Sequence, residues 1–223
     1  MEDEIIEKLT QTIGGSYSFS LGVDLKSLNA TDLFKWFLAS LLFGAKISEG
    51  IAIRTFQEFQ KEGLDSVQKI LKRGWDGLVE VLDRGGYVRY DFKTATKLLE
   101  VCGNLLQKYR GDLNLLHSRS RDARDLEGRL KLLGKGIGDV TVNIFLRELR
   151  GIWKRADPPL QRLVLEAALN LGLVSSPQVA LDQLQAYGNR QLEPALLRLG
   201  KNYCHRGRCS QCPMEGICPR SGQ

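Results

Sequence analysis

Long apolar runs are missing from these 223 residues. The longest, Phe37-Leu38-Ala39-Ser40-Leu41-Leu42-Phe43, is far too short for a bilayer-spanning helix. The start, Met1-Glu2-Asp3-Glu4, carries the wrong charge for a secretory signal, and no apolar stretch follows it. No membrane association or export is expected, and the expected compartment is a reducing one: cytoplasm and nucleoid, or the nucleus of a eukaryote. Strand-like alternation is scarce, and only Ser16 to Val23 reads as extended. Repeats and low-complexity tracts are absent. Cysteine is nearly absent too until the end: Cys102 sits alone in an apolar helix, where core packing is its ordinary role, and the other four fall within the last 20 residues.

What is present is ordinary for a folded protein, with 43% hydrophobic and 26% charged residues, which argues against disorder. The net charge of +6 and a pI near 9.1 suit a polyanionic partner, of which nucleic acid is the commonest. A merely basic surface would give the same numbers.

Apolar residues recur at helical spacing almost throughout. The pattern predicts helices over 30–43, 51–62, 65–71, 75–82, 91–109, 122–133, 140–150, 158–171, 176–187 and 191–203, joined by short connections. An all-α protein of two helical lobes is expected. One is 30–150; the other combines 1–29 with 151–223, the break at 151–159 being rich in Gly, Pro and charge.

The segment Leu132-Leu133-Gly134-Lys135-Gly136-Ile137-Gly138-Asp139-Val140 reads as helix, glycine hairpin, helix. Glycines permit backbone conformations closed to other residues and leave amide N–H groups open at a helix start, where a phosphate oxygen can be held. Lys135, Gly136 and Gly138 are therefore candidate DNA contacts. An ordinary glycine cap and turn is the alternative. Four cysteines follow near the end in the pattern C-x4-C-x2-C-x5-C: Cys204, Cys209, Cys212 and Cys218. This set could hold a 4Fe–4S cluster, one thiolate per iron, with zinc as the alternative. Zinc ribbons usually offer two C-x2-C pairs, and here there is one.

Together these stretches resemble the endonuclease III superfamily of helix–hairpin–helix DNA glycosylases, over nearly everything from Thr31 to Pro219. The family follows its hairpin with a Gly/Pro-rich loop and an essential aspartate; here these are similar to 151–156 and Asp157, before Pro158-Pro159. The resemblance implies that Asp157 stabilises positive charge on the sugar as a flipped base departs. A helix cap with proline at its first position is the plain structural reading, compatible with that role. Residues 37–42 look like the helix before the family's intercalating loop, which makes Lys46 a candidate DNA contact. Gly86-Tyr87 ahead of Lys93-Thr94-Ala95 is similar to a stretch bordering the family's active-site cleft, which makes Tyr87 and Tyr90 base-pocket candidates. The cleft itself is expected between the lobes. The cysteine set resembles the family's iron–sulfur loop in its last two gaps, the first being four residues instead of six. Arg206 and Arg208 within it are candidate phosphate contacts.

Two departures bear on chemistry. Where lyase-active members carry a lysine, two residues after the last hairpin glycine, this chain has Val140, which cannot form a Schiff base. The loop 43–47 also lacks the family's glutamine. The expectation is a monomeric, monofunctional base-excision glycosylase acting on double-stranded DNA with a damaged or mismatched base. A non-catalytic DNA-binding module and a lyase using another amine are the alternatives. His117 reads as a loop or cap residue and Glu166 and Glu193 as helix surface; Trp36, Trp75 and Trp153 could stack on a base, with core packing as the default reading.

Overall fold

The computed structural model describes residues 2–222 and is helical, with no strand among the described residues. In chain order come α1 (Glu2–Ile13), α2 (Tyr17–Ser20), α3 (Ala30–Phe43), α4 (Glu49–Lys61), α5 (Val67–Arg84) and α6 (Asp91–Tyr109). Then follow α7 (Leu113–Arg119), α8 (Ala123–Lys131), α9 (Asp139–Arg147), α10 (Arg162–Asn170), α11 (Ala180–Ala186) and α12 (Leu192–Asn202), with three 3-10 turns after α12. None of these helices is long and apolar enough to cross a membrane. The stretch 16–23, expected to be extended, is instead the one-turn helix α2: Ser20 donates its backbone N–H to the Ser16 carbonyl, closing the turn.

The chain forms two compact units, Leu21–Pro158 and Met1–Ser20 with Pro159–Gln223. The expected division fell at 29/30 and 150/151. Residues 151–158 instead pack with the larger unit, because Trp153 is buried against Phe145 and His117.

In the larger unit, α3 is apolar on nearly every side and forms the centre. Asn29 caps it, accepting the Thr31 N–H, and α4, α7 and α9 pack around it. Trp36 is fully buried, and its indole N–H donates to the Phe145 carbonyl at 3.0 Å. Each such large apolar side chain contributes roughly 1.5–3 kcal/mol by leaving water. The two short helices expected at 65–82 form one element broken at Gly74, whose φ of 72° is open to glycine at little cost. In the smaller unit α12 packs on α10 and α1, and the glycine of α12 at Gly200 allows close approach: a Cβ there would stand 2.2 Å from the Leu163 carbonyl oxygen.

Candidate active site and cysteine cavity

The turn between α8 and α9 is held from below by α6. Leu133 is buried, and a Cβ on Gly134 would stand 2.6 Å from the Val101 side chain, so only glycine lets the turn sit this close. Gly136 has φ of 87°, and Gly138 is the N-cap of α9. Glu100, which sequence reasoning passed over, accepts the Lys135 backbone N–H at 3.1 Å. The Ile137 N–H goes to the Gly134 carbonyl. Gly136, Gly138 and Val140 are exposed around the start of α9, where a helix's first N–H groups lack intrahelical partners, beside the exposed Lys135. Asp139, also overlooked, stands at the same helix start paired with Lys131 at 2.5 Å. Val140 is exposed.

The α3–α4 loop lies against this turn. A Cβ on Gly44 would come within 2.2 Å of the Thr141 hydroxyl oxygen, and Lys46 is exposed two residues further on.

Asp157 ends the loop that leaves α9. That loop is pinned by Trp153, which lies edge-on to Phe145 (5.6 Å) and flat on His117 (4.6 Å, 5° between planes). Burial, and then the Arg155 charge, hold the His117 imidazole below its ordinary pKa. His117 lies in α7, a helix absent from the expected set. Arg155 donates to the Arg121 and His117 carbonyls, tying the loop to α7.

Asp157 is not a helix cap. Two consecutive prolines disfavour helical geometry at Asp157 and Pro158, so α10 starts only at Arg162, with Gln161 as its N-cap. The carboxylate is instead held by Arg150, whose Nη1 donates to Oδ1 at 2.5 Å while Nη2 donates to the Pro158 carbonyl. The Arg150 side chain is 11% exposed and that of Asp157 is 58% exposed. A nearly buried cation thus fixes a carboxylate that still faces water. No spacing rule marks Arg150, which lies seven residues away across a loop.

Tyr87 departs from its expected place in an open pocket. It is fully buried and its hydroxyl donates to the Leu42 carbonyl at 2.7 Å, joining the α5–α6 loop to the end of α3. Burial drives its phenol above the ordinary tyrosine range, with Tyr90 adding to it. Tyr90 is half-buried, its ring edge-on to Tyr87 and covered by Arg89 at 5.6 Å. Tyr87→Phe is expected to cost about 1 kcal/mol, seen as a lower urea midpoint. The Leu42 carbonyl keeps a 3.4 Å contact from the Ala45 N–H, so the loss stays at that modest level.

In the smaller unit Cys204, Cys209, Cys212 and Cys218 line a single cavity of about 160 Å³, with Asn170, Leu171, Leu199 and buried Met214 among its other walls. Cys218 donates its thiol to the Asn170 carbonyl at 3.3 Å. Burial pushes the Cys204 thiol up, with Cys212, Cys218 and Glu166 adding to it. Burial does the same to Cys212, with Cys218 and Cys209 adding. The thiols therefore feel one another. Among the described residues, no set of three or more His, Cys, Asp or Glu side chains is arranged to hold a metal ion as it stands. Glu166, expected to be plain helix surface, is on this cavity wall, and Arg206 and Arg208 are exposed in the same loop. Cys102 is buried in α6, as expected of a core residue.

No protein-family model matches the chain, and no curated protein matches its sequence.

Proposed function

We propose that the protein is a monofunctional DNA base-excision glycosylase, hydrolysing the bond between deoxyribose and a flipped damaged or mismatched base. The observation that carries the reading is Asp157: a carboxylate fixed through one oxygen by a nearly buried arginine, water-facing through the rest. It lies in the same compact unit as the α8–α9 glycine turn. The N–H groups of the exposed Gly136, Gly138 and Val140, with Lys135, would hold backbone phosphate and read no sequence. With a strand so held, Asp157 stabilises the positive charge that grows on the sugar as the base leaves, and orients the attacking water. Val140 supplies no amine, so water bonds the sugar's anomeric carbon as the base is released, leaving an abasic site in an intact strand.

The four cysteines fit a 4Fe–4S cluster better than one zinc ion. They line one cavity of about 160 Å³, more space than a single ion fills. Cys204, Cys209, Cys212 and Cys218 would hold it. Bound, it would supply a rigid cross-link that orders the basic loop carrying Arg206 and Arg208.

The reading is tested by a panel of lesion-bearing duplexes incubated with purified protein and resolved with and without alkali. At least one lesion is expected to give breaks that appear only after alkali treatment. Breaks without alkali, together with a borohydride-trapped protein–DNA adduct, would assign the chemistry to an amine instead.

A further inference from the structure

Trp75 was expected to be core. Of the three tryptophans it is the exposed one, at 38%, against 0% for Trp36 and 3% for Trp153. It begins the second half of α5, just past the break at Gly74, so the break carries the indole out to the surface. Phe92, in the first turn of α6, is 59% exposed, and the two rings lie 5.2 Å apart at 42°. The indole N–H donates to the Thr96 hydroxyl at 3.0 Å, one helical turn from Phe92, so the ring orientation is fixed. Two large aromatic rings standing together in water lose the burial that normally justifies them. Part of each ring's surface stays in water.

The neighbouring row of α6 is cationic. Lys93 follows Phe92 directly, and Lys97 lies one turn on, the i to i+4 spacing that puts side chains on one face. Lys97 reaches the α8–α9 turn: its Cδ is 3.8 Å from where a Cβ of Gly136 would stand. Burial, and then Lys93, hold the Lys97 ammonium below its ordinary range, as an ammonium lacking a counter-anion should be. Opposed to these cations are Asp76, beside Trp75 in sequence, Asp91, which accepts the Phe92 N–H at 2.7 Å and hydrogen-bonds Asp83, and Glu100, three residues past Lys97 on the same face, whose carboxylate accepts the Lys135 N–H.

We propose that this face of α5 and α6 binds an unpaired stretch of nucleic acid continuous with the backbone held at the α8–α9 turn, Lys97 and Lys93 following its phosphates and Trp75 with Phe92 stacking on its bases. This rests on the DNA-binding part of the proposed function. A row of cations ending in an aromatic pair is what single strands select: phosphates need charge, and every base offers a face to stack on. A duplex could not use the rings, because its bases are already stacked.

The test uses the intact protein with three probes: a blunt duplex, the same duplex carrying an oligo-dT tail at either end, and free oligo-dT. Intrinsic fluorescence reports directly, since Trp75 is the accessible indole. One tailed duplex should bind about tenfold more tightly than the blunt one and quench the emission, a stacking gain in the range of one base on an aromatic ring. Trp75→Ala, Phe92→Ala and Lys93→Glu should each abolish that preference and leave blunt-duplex affinity unchanged. Equal affinities with unaltered emission would overturn the proposal. So would concentration-dependent dimers abolished by Phe92→Ala, which would give the face to a second copy. If free oligo-dT quenches Trp75 while no duplex binds, the single-strand face stands and the glycosylase reading falls; if neither binds, both fall.

Discussion

Asp157→Asn is expected to lower the excision rate on a cleaved lesion by roughly a hundredfold or more, with duplex affinity close to wild type. The substitution keeps size and an oxygen that Arg150 can still bond, but deletes the negative charge that meets the cationic sugar. It also shifts the local charge balance by removing the anion that Arg150 Nη1 bonds. Because the Asp157 side chain is 58% exposed, solvent screens that imbalance, and the stability loss should stay within about 1 kcal/mol. Arg150→Lys keeps the charge but loses the two-pronged hold on Asp157 and the Pro158 carbonyl, so kcat should fall more than KM rises. Single-turnover excision by the two variants checks this. An Asp157→Asn enzyme of full activity would remove Asp157 from the chemistry.

Cys209→Ser and Cys212→Ser are each expected to abolish the cluster and loosen the segment after α12. Anaerobically purified wild type should be brown, with broad absorbance near about 400 nm, and the variants colourless. The structural effect should be large because this segment buries little of its own: of residues 204–220 only Met214 is buried, and their regular structure is three 3-10 turns. A stretch that buries so little apolar surface would gain much of its order from the proposed cluster. Limited proteolysis should therefore cut the variants within 204–220 under conditions that spare the wild type. Metal analysis giving one zinc and no iron per chain would overturn the cluster.

Helix positions were legible wherever the apolar period was long. The ranges read for α3 and α6 coincide with those observed, since fourteen and nineteen residues of unbroken periodicity leave little freedom in where a helix begins and ends. Short elements were not. The seven-residue α7 was passed over, and 16–23 was misread, because four to seven residues contain too little periodicity and their conformation is settled by packing. Two prolines in a row defeated the reading of Asp157 as a cap, although the residue rule that forbids it is local and could have been applied.

The sequence alone determined the helical class, the glycine turn before α9, the absence of an amine at Val140 and the crowding of four cysteines near the end. These are matters of residue type and spacing, and they hold however the helices are arranged. Only the tertiary structure decided which groups meet. It placed Arg150 on Asp157, Glu100 on the Lys135 amide, Tyr87 inside the core and Trp75 outside it. The physical reason is that a side chain's burial and partner depend on the neighbouring helices. Tyr87 and Trp75 are both aromatic, yet one meets the end of α3 and the other, turned outward past Gly74, meets a phenylalanine and water.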